Sequence, residues 1–228
     1  KFPISLAGKG GGGGDIELSY VASYTDLGNS SNYTFTSCDL GAPDADRQII
    51  VTMAYRSYGA NSIAAVYVGG LLATADQPKV TGSNGVSAAV YRAALPAGAT
   101  GNIQVIISGT GLQNLAIDVY RAVSSSMSVE AALGVDSGGG TVRNFTISAI
   151  AGGGLVGVAG IRPDSSGSAS VRWTAGLTNH RSLKDSGLFF MGAGSHTATE
   201  TDPSFAAQVN MGSSYYSPPP ICIVSYRP

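Results

Sequence analysis

The chain has 228 residues and a mass of 23.0 kDa, with 13 Lys plus Arg against 14 Asp plus Glu, 43% hydrophobic and 12% charged residues, 32 Gly and 10 Pro. That length supports a sizeable core, and the apolar content excludes a solvated disordered chain. A formal charge of -1 excludes holding nucleic acid through a general positive field, and no run of about 18 apolar residues is present to make a membrane-spanning helix.

Lys1-Phe2-Pro3 opens without signal-peptide architecture, because the apolar stretch through Leu6 and Ala7 stops in glycine. Gly10 to Gly14 carry the highest backbone entropy cost and nothing to pack, so residues 1-14 are expected to be a flexible arm, or a loop lying on a neighbouring subunit. The body is expected to span 15-228.

Within the body, short strand-like bursts alternate with Gly, Asn, Ser, Asp and Pro. In chain order they are Ile16–Tyr20, Asn32–Cys38, Arg47–Arg56, Ala64–Val68, Ser87–Ala93, Asn102–Ser108 and Leu115–Ala122. They continue with Val142–Ala149, Leu155–Ile161, Ser168–Thr174, Gly187–Ala193, Ala206–Met211 and Ile221–Arg227. In the second burst Tyr33, Phe35 and Ser37 share one face while Thr34, Thr36 and Cys38 take the other, the pattern of a sheet with one face on a core and one in water. Asn84-Gly85 marks a tight turn, and Leu95-Pro96-Ala97-Gly98 has the residues of a type I turn. Met127 to Leu133 is the most helix-like stretch and is expected to be the crossing between two halves, 15-125 and 135-228, of one sandwich or of two domains. Strand centres roughly 12 to 20 residues apart, without intervening helices, predict an all-β fold: an antiparallel β-sandwich, jelly-roll-like, of about twelve short strands.

Cys38 and Cys222 both lie in apolar runs and are expected to be unpaired, acting as small hydrophobes. Tyr55-Arg56, Tyr91-Arg92, Tyr120-Arg121 and Tyr226-Arg227 repeat a dipeptide near strand ends, where the ring packs near the sheet rim and the guanidinium reaches water.

The chemical constellations are weak. Ser195-His196 sets a hydroxyl beside an imidazole, with Asp185 or Glu200 as the acid, but strand neighbours point to opposite faces. His180, His196 and Asp185 have no ligand spacing for a metal. Asp39, Asp44 and Asp46 could supply a carboxylate pair for glycan hydrolysis, but the same loop composition fits aspartates capping turn amides, with Asp44 or Asp46 paired to Arg47. The glycine runs at 10-14, 138-140 and 152-154 do not form a phosphate cradle. Asn29-Ser30-Ser31, Asn32-Tyr33-Thr34 and Asn144-Phe145-Thr146 match the N-glycosylation acceptor pattern. No catalytic, metal or cofactor-binding residue is expected.

The phrase running from Thr36-Ser37-Cys38-Asp39 through Arg47-Gln48-Ile49-Ile50 to Tyr55-Arg56, with Val66-Tyr67-Val68-Gly69-Gly70 and Val90-Tyr91-Arg92 through Pro96-Ala97-Gly98, resembles β-sandwich segments of structural proteins of tailed bacteriophages and gene-transfer particles. The resemblance covers residues 33 to 122 and is to tail-fibre, spike and decoration components. It implies a virion protein, present in repeated copies in an extracellular particle, acting without a cofactor by assembly with itself and other virion proteins.

Low charge, abundant small polar residues and 11 tyrosines independently suit broad homo-oligomeric contacts. For a recognition surface the candidates are Tyr24, Tyr58, Trp173, Tyr215 and Tyr216; Trp173, between Arg172 and Thr174, fits a core position as well. The expectation is therefore a non-enzymatic particle protein, with a host-surface glycan or receptor-binding module and a glycan hydrolase as the alternatives.

Overall fold

The computed structural model describes residues 14-57, 61-82, 85-109, 112-135, 141-162, 170-185, 189-212 and 219-228. The first nine strands are β1 (Glu17–Asp26), β2 (Asn32–Asp39), β3 (Arg47–Ser57), β4 (Ser62–Val68), β5 (Leu71–Leu72), β6 (Thr74–Thr81), β7 (Val86–Ala94), β8 (Thr100–Ser108) and β9 (Leu112–Val123). They build a five-stranded sheet, ordered β1-β9-β3-β7-β6, and a four-stranded sheet, ordered β2-β8-β4-β5. The other eight are β10 (Ser128–Val135), β11 (Val142–Ala149), β12 (Gly154–Ile161), β13 (Arg172–Ala175), β14 (Thr178–Asp185), β15 (Phe189–Thr197), β16 (Asp202–Asn210) and β17 (Ile221–Arg227). Their sheets are ordered β10-β17-β12-β15-β14 and β11-β16-β13. The pairings among the described residues are antiparallel.

The second set of sheet orders is the first one repeated. Replacing β1, β2, β3, β4, β6, β7, β8 and β9 by β10 to β17 in turn converts one into the other, and among the described residues the two-residue β5 has no counterpart. Register repeats too. Tyr20 faces Tyr120 and the next pair begins at Ala22, so Val21 is an extra residue; Val129 faces Tyr226 and the next pair begins at Ala131, so Glu130 is extra at the same point. Asn32, Tyr33 and Thr34 face Ile106, Val105 and Gln104, as Asn144, Phe145 and Thr146 face Gln208, Ala207 and Ala206. Register shifts in the β4–β8 and β13–β16 pairs fix this equivalence, because Ala64 and Thr174 are both skipped. The sequences Asn32-Tyr33-Thr34-Phe35 and Asn144-Phe145-Thr146-Ile147 are thus the same segment in two copies.

The four sheets stack as layers with three cores between them. One core lies between the first outer sheet (β2-β8-β4-β5) and the first inner sheet, around Tyr33, Ile103, Ile49, Val51 and Met53. A second joins the two inner sheets through Ile50, Ala54, Ala88, Ala116 and Tyr120 on one side and Val156, Val158, Ala193, Cys222 and Tyr226 on the other. A third fills the space between the second inner and second outer sheets, around Leu155, Trp173, Val209 and Ile223. The central inner strands are therefore buried on both faces, which makes β12 buried at every position and buries β3 from Ile49 to Arg56. The outer strands β2, β8 and β11 keep an alternation of buried and exposed residues.

Two expectations are corrected. The strands do not form one sandwich of about twelve; among the described residues, 17 strands in four sheets make two sandwiches back to back. Met127 to Leu133 is not the crossing between the halves, because Ser128–Val135 is β10, paired to β17 along its length. Helix propensity lost there to the backbone partner that β17 offers. β6 and β14 escaped the sequence reading for a shared reason. Both are edge strands of five-stranded sheets, with Asp76, Gln77, Pro78 and Lys79 in one and Asn179, His180 and Arg181 in the other, the polar and proline content that keeps edges from pairing further. Gly69 and Gly70, with φ of 58° and 85°, join Val68 to Leu71 in the two-residue hairpin that carries β5.

Trp173, 4% exposed, lies over the facing pair Gly157 and Gly194, where a Cβ would come within 2.7 and 2.9 Å of the indole. The paired glycines form the flat floor it requires. Trp173→Ala should destabilise the fold by about 3–5 kcal/mol, and Gly194→Val by about 1–3 kcal/mol, both measured by urea unfolding.

Candidate functional site

Among the described residues, one set of buried polar groups joins the two halves, and another, more open set lies on the outer sheets. At one end of the middle layer Arg92 on β7 binds both carboxylate oxygens of Asp76 on β6, at 2.8 and 3.2 Å. From the second half, the Tyr226 hydroxyl donates to Asp76 Oδ2 at 2.9 Å, and Met127 O accepts from Arg92 at 3.2 Å. At the other end the arrangement is reversed. Arg181 on β14 reaches into the first half, donating to Ile117 O at 2.9 Å, to Tyr24 O at 3.3 Å, to the Thr25 hydroxyl and to Asp118 Oδ1 at 3.4 Å.

Asp118 is fully buried, with Thr52 opposite it on β3, and its Oδ2 has no hydrogen-bond partner. Burial pushes its carboxyl up to about 7, opposed by the Arg181 charge. His180, next along β14, stacks on Tyr20 at 4.8 Å and meets Tyr120 edge-on. These groups form a positioning cluster that fixes one sandwich on the other.

The strand argument against Ser195-His196 holds in detail. Ser195 faces the middle layer and shares a 2.7 Å hydrogen bond with His180 Nε2, whereas His196 packs on Phe205 in the direction of the second outer sheet. The Ser195–His180 contact was invisible in sequence because a bulge in β14 sets their relative register. Burial lowers both imidazoles, which favours the neutral ring. Among the described residues no group of His, Cys, Asp and Glu could hold a metal ion. Both cysteines are buried free thiols, one in each half.

The loop carboxylates are turn caps. Asp44 Oδ1 accepts from Asp46 N at 2.9 Å, and Asp39 Oδ1 from Gly41 N at 2.8 Å. Arg47, 1% exposed, is not held by either aspartate side chain expected for it. Its guanidinium binds the carbonyls of Leu40, Gly41, Leu95, Ala97 and Gly98, tying two loops to the end of β3. Tyr-Arg pairs also differ from the rim arrangement: Tyr55, Tyr120 and Tyr226 are core residues, and Arg56 is buried with its tyrosine. Arg121 does reach an exposed acid, Glu17, at 2.8 Å.

Of the recognition candidates, Tyr24 is half-buried at the sheet rim, packs near Phe35, and accepts a hydrogen bond from Asp39 N at 2.6 Å. Trp173 occupies the core position that its sequence neighbours left open. Tyr58, Tyr215 and Tyr216 lie outside the described residues. The structure brings none of the described candidates together.

It does bring together residues that no motif marked. On the outer face of the first outer sheet a groove of about 660 Å3 is lined by Thr34, Tyr67, Leu95, Thr100, Asn102 and Gln104, with Gly69, Gly70, Ala97 and Gly101. A smaller one of about 340 Å3 lies on the second outer sheet, over Asn144, Thr146, Ala206 and Gln208. They overlap in the repeated frame, since Thr34 matches Thr146 and Gln104 matches Ala206. In both, a glutamine Nε2 donates to an asparagine Oδ1: Gln104 to Asn32 at 3.0 Å and Gln208 to Asn144 at 2.8 Å. The acceptor pattern Asn-x-Thr had drawn attention to both asparagines, but for modification and not for a groove.

Compared with known proteins, the chain matches no family model and no curated sequence.

The Asp118 cluster sets a pH dependence of stability. An unfolded aspartate ionises near 4 and the folded one near 7, so between those values the folded state holds the extra proton. Stability from this group is greatest below about 4 and is lost as pH rises to about 7; the lowered imidazoles contribute in the opposite direction below about 6.5. In urea titrations Asp118→Asn should remove the falling component. Arg181→Met should cost more at pH 8 than at pH 5, where Asp118 can take up a proton in place of its lost partner.

Proposed function

We propose that this chain is a non-enzymatic structural protein of a phage-like particle, of tail-fibre, spike or capsid-decoration type, working as repeated copies outside the cell. The first half is read as a jelly roll: β1-β9-β3-β7 opposite β2-β8-β4-β5 is the order produced by wrapping two Greek keys, and β10 to β17 repeat it without the strand equivalent to β5. A chain that already contains two such units stacked face to face is built by the same operation that would join it to further copies.

The observation that carries assembly is the edge of the first outer sheet. β5 presents Leu71 and Leu72, 46% and 66% exposed, beside a groove of about 430 Å3 that they share with Gln48, Thr74 and Arg92. Adjacent exposed leucines on a free sheet edge are a surface for a second copy of the chain. The Tyr226–Asp76 hydrogen bond, the Arg181–Asp118 ion pair and the stacking of His180 on Tyr20 act between the halves and supply rigidity, with no chemical step required of them.

Light scattering coupled to size-exclusion chromatography tests this. The chain should elute as a homo-oligomer, and Leu72→Glu should shift it toward monomer without changing its thermal unfolding. A strict monomer at high concentration contradicts the reading.

A further inference from the structure

We propose that the groove on the first outer sheet is a binding site for a neutral saccharide, with Tyr67 as its stacking surface and Asn102 and Gln104 as its hydrogen-bonding pair. The site is part of a single chain, so this proposal does not depend on assembly.

The lining chemistry selects the ligand class. None of the ten lining residues is an acid, lysine, arginine or histidine, so an anionic or cationic ligand would find no counter-charge. What the groove offers is a half-exposed tyrosine, two amides and two threonine hydroxyls, which match a molecule with apolar ring faces and a rim of hydroxyls. Its volume is that of an ordinary ligand site. The floor is β8, a central strand paired to β2 on one side and β4 on the other, so its main chain is already committed and a peptide could not add to it as a strand.

The two amides are held in complementary states. Asn102 Oδ1 accepts from Ser37 N at 3.1 Å, across the bulge where Ser37 adopts a φ of 53°, which leaves the Nδ2 hydrogens as donors. Gln104 Nε2 donates to Asn32 at 3.0 Å, which leaves Oε1 as an acceptor. Two residues apart on one strand, they share a face. A donor and an acceptor side by side suit sugar hydroxyls, each of which both gives and receives a hydrogen bond. On the second outer sheet the threonine recurs as Thr146, but Ala206 stands where Gln104 does and Gln208 bonds Asn144 from the Ile106 position, so the amide pair belongs to the first groove.

The test is an array of immobilised neutral oligosaccharides built from glucose, galactose, mannose and N-acetylhexosamines, with sialylated and sulfated glycans and extended peptides alongside, followed by calorimetric titration of any neutral binder. The intact chain should bind one neutral class. Asn102→Asp retains the acceptor for Ser37 while replacing the donors with a charged, acceptor-only carboxylate oxygen, so it should weaken binding about tenfold with unchanged thermal unfolding, as should Tyr67→Ala. The proposal is overturned if the folded chain binds no neutral saccharide, if it binds only charged glycans or peptides, or if both variants bind like the unaltered chain. A monomeric chain that binds sugar would sink the assembly reading alone.

Discussion

A sheet buried on both faces needs a cover on each side, and this chain contains two of them. β3 and β12 run through the centres of the inner sheets with apolar residues pointing both ways, so neither sandwich is closed until the other is against it. The middle layer satisfies this with small side chains. Ala54, Ala88, Ala116, Ala122 and Ala193 let the sheets approach, while tyrosines 120 and 226 occupy the two ends. Each end then receives a charged pair reaching across: Arg92 and Asp76 toward Tyr226, and Arg181 toward Asp118. Such pairs are costly to desolvate and poor sources of net stability, but removing one member leaves a buried charge behind. They determine how the halves sit more than how strongly they hold.

All-β character and most central strands were legible because apolar runs and turn residues are local signals. Asn32-Tyr33-Thr34-Phe35 alternates because one face of β2 meets water, and Leu155 to Ile161 does not alternate because neither face of β12 does. The second pattern, a continuous run without polar gaps, was the available sign that the sheets are sandwiched between others. The edges β6 and β14 were hidden by the polar residues and proline that make them good edges. β10 was obscured by Glu130-Ala131-Ala132-Leu133, a helical string whose fate depends on a partner almost one hundred residues later.

The duplication was half visible. Tyr120-Arg121 and Tyr226-Arg227 are equivalent positions at the ends of β9 and β17, and the two Asn-aromatic-Thr segments are equivalent positions in β2 and β11. Tyr55-Arg56 and Tyr91-Arg92 belong to other strands and confuse the period. Candidate sites were the least legible. Recognition surfaces were sought in exposed aromatics near turns, whereas the outer-sheet grooves are made from side chains two residues apart on central strands, neutral and individually unremarkable. Among the described residues, those grooves and the exposed Leu71 and Leu72 are surfaces that the stacked sheets present.

Hydrogen exchange of the full chain, followed residue by residue, tests most directly whether the middle layer makes one body of the two sandwiches. Slow amides of β3 and β9 should share one opening free energy with those of β12 and β17, and a cavity introduced in the second half by Val209→Ala should lower protection in β3 by the same amount as in β12. Unchanged protection of β3 beside a loosened β12 would mean that the sandwiches open independently, and would contradict the account.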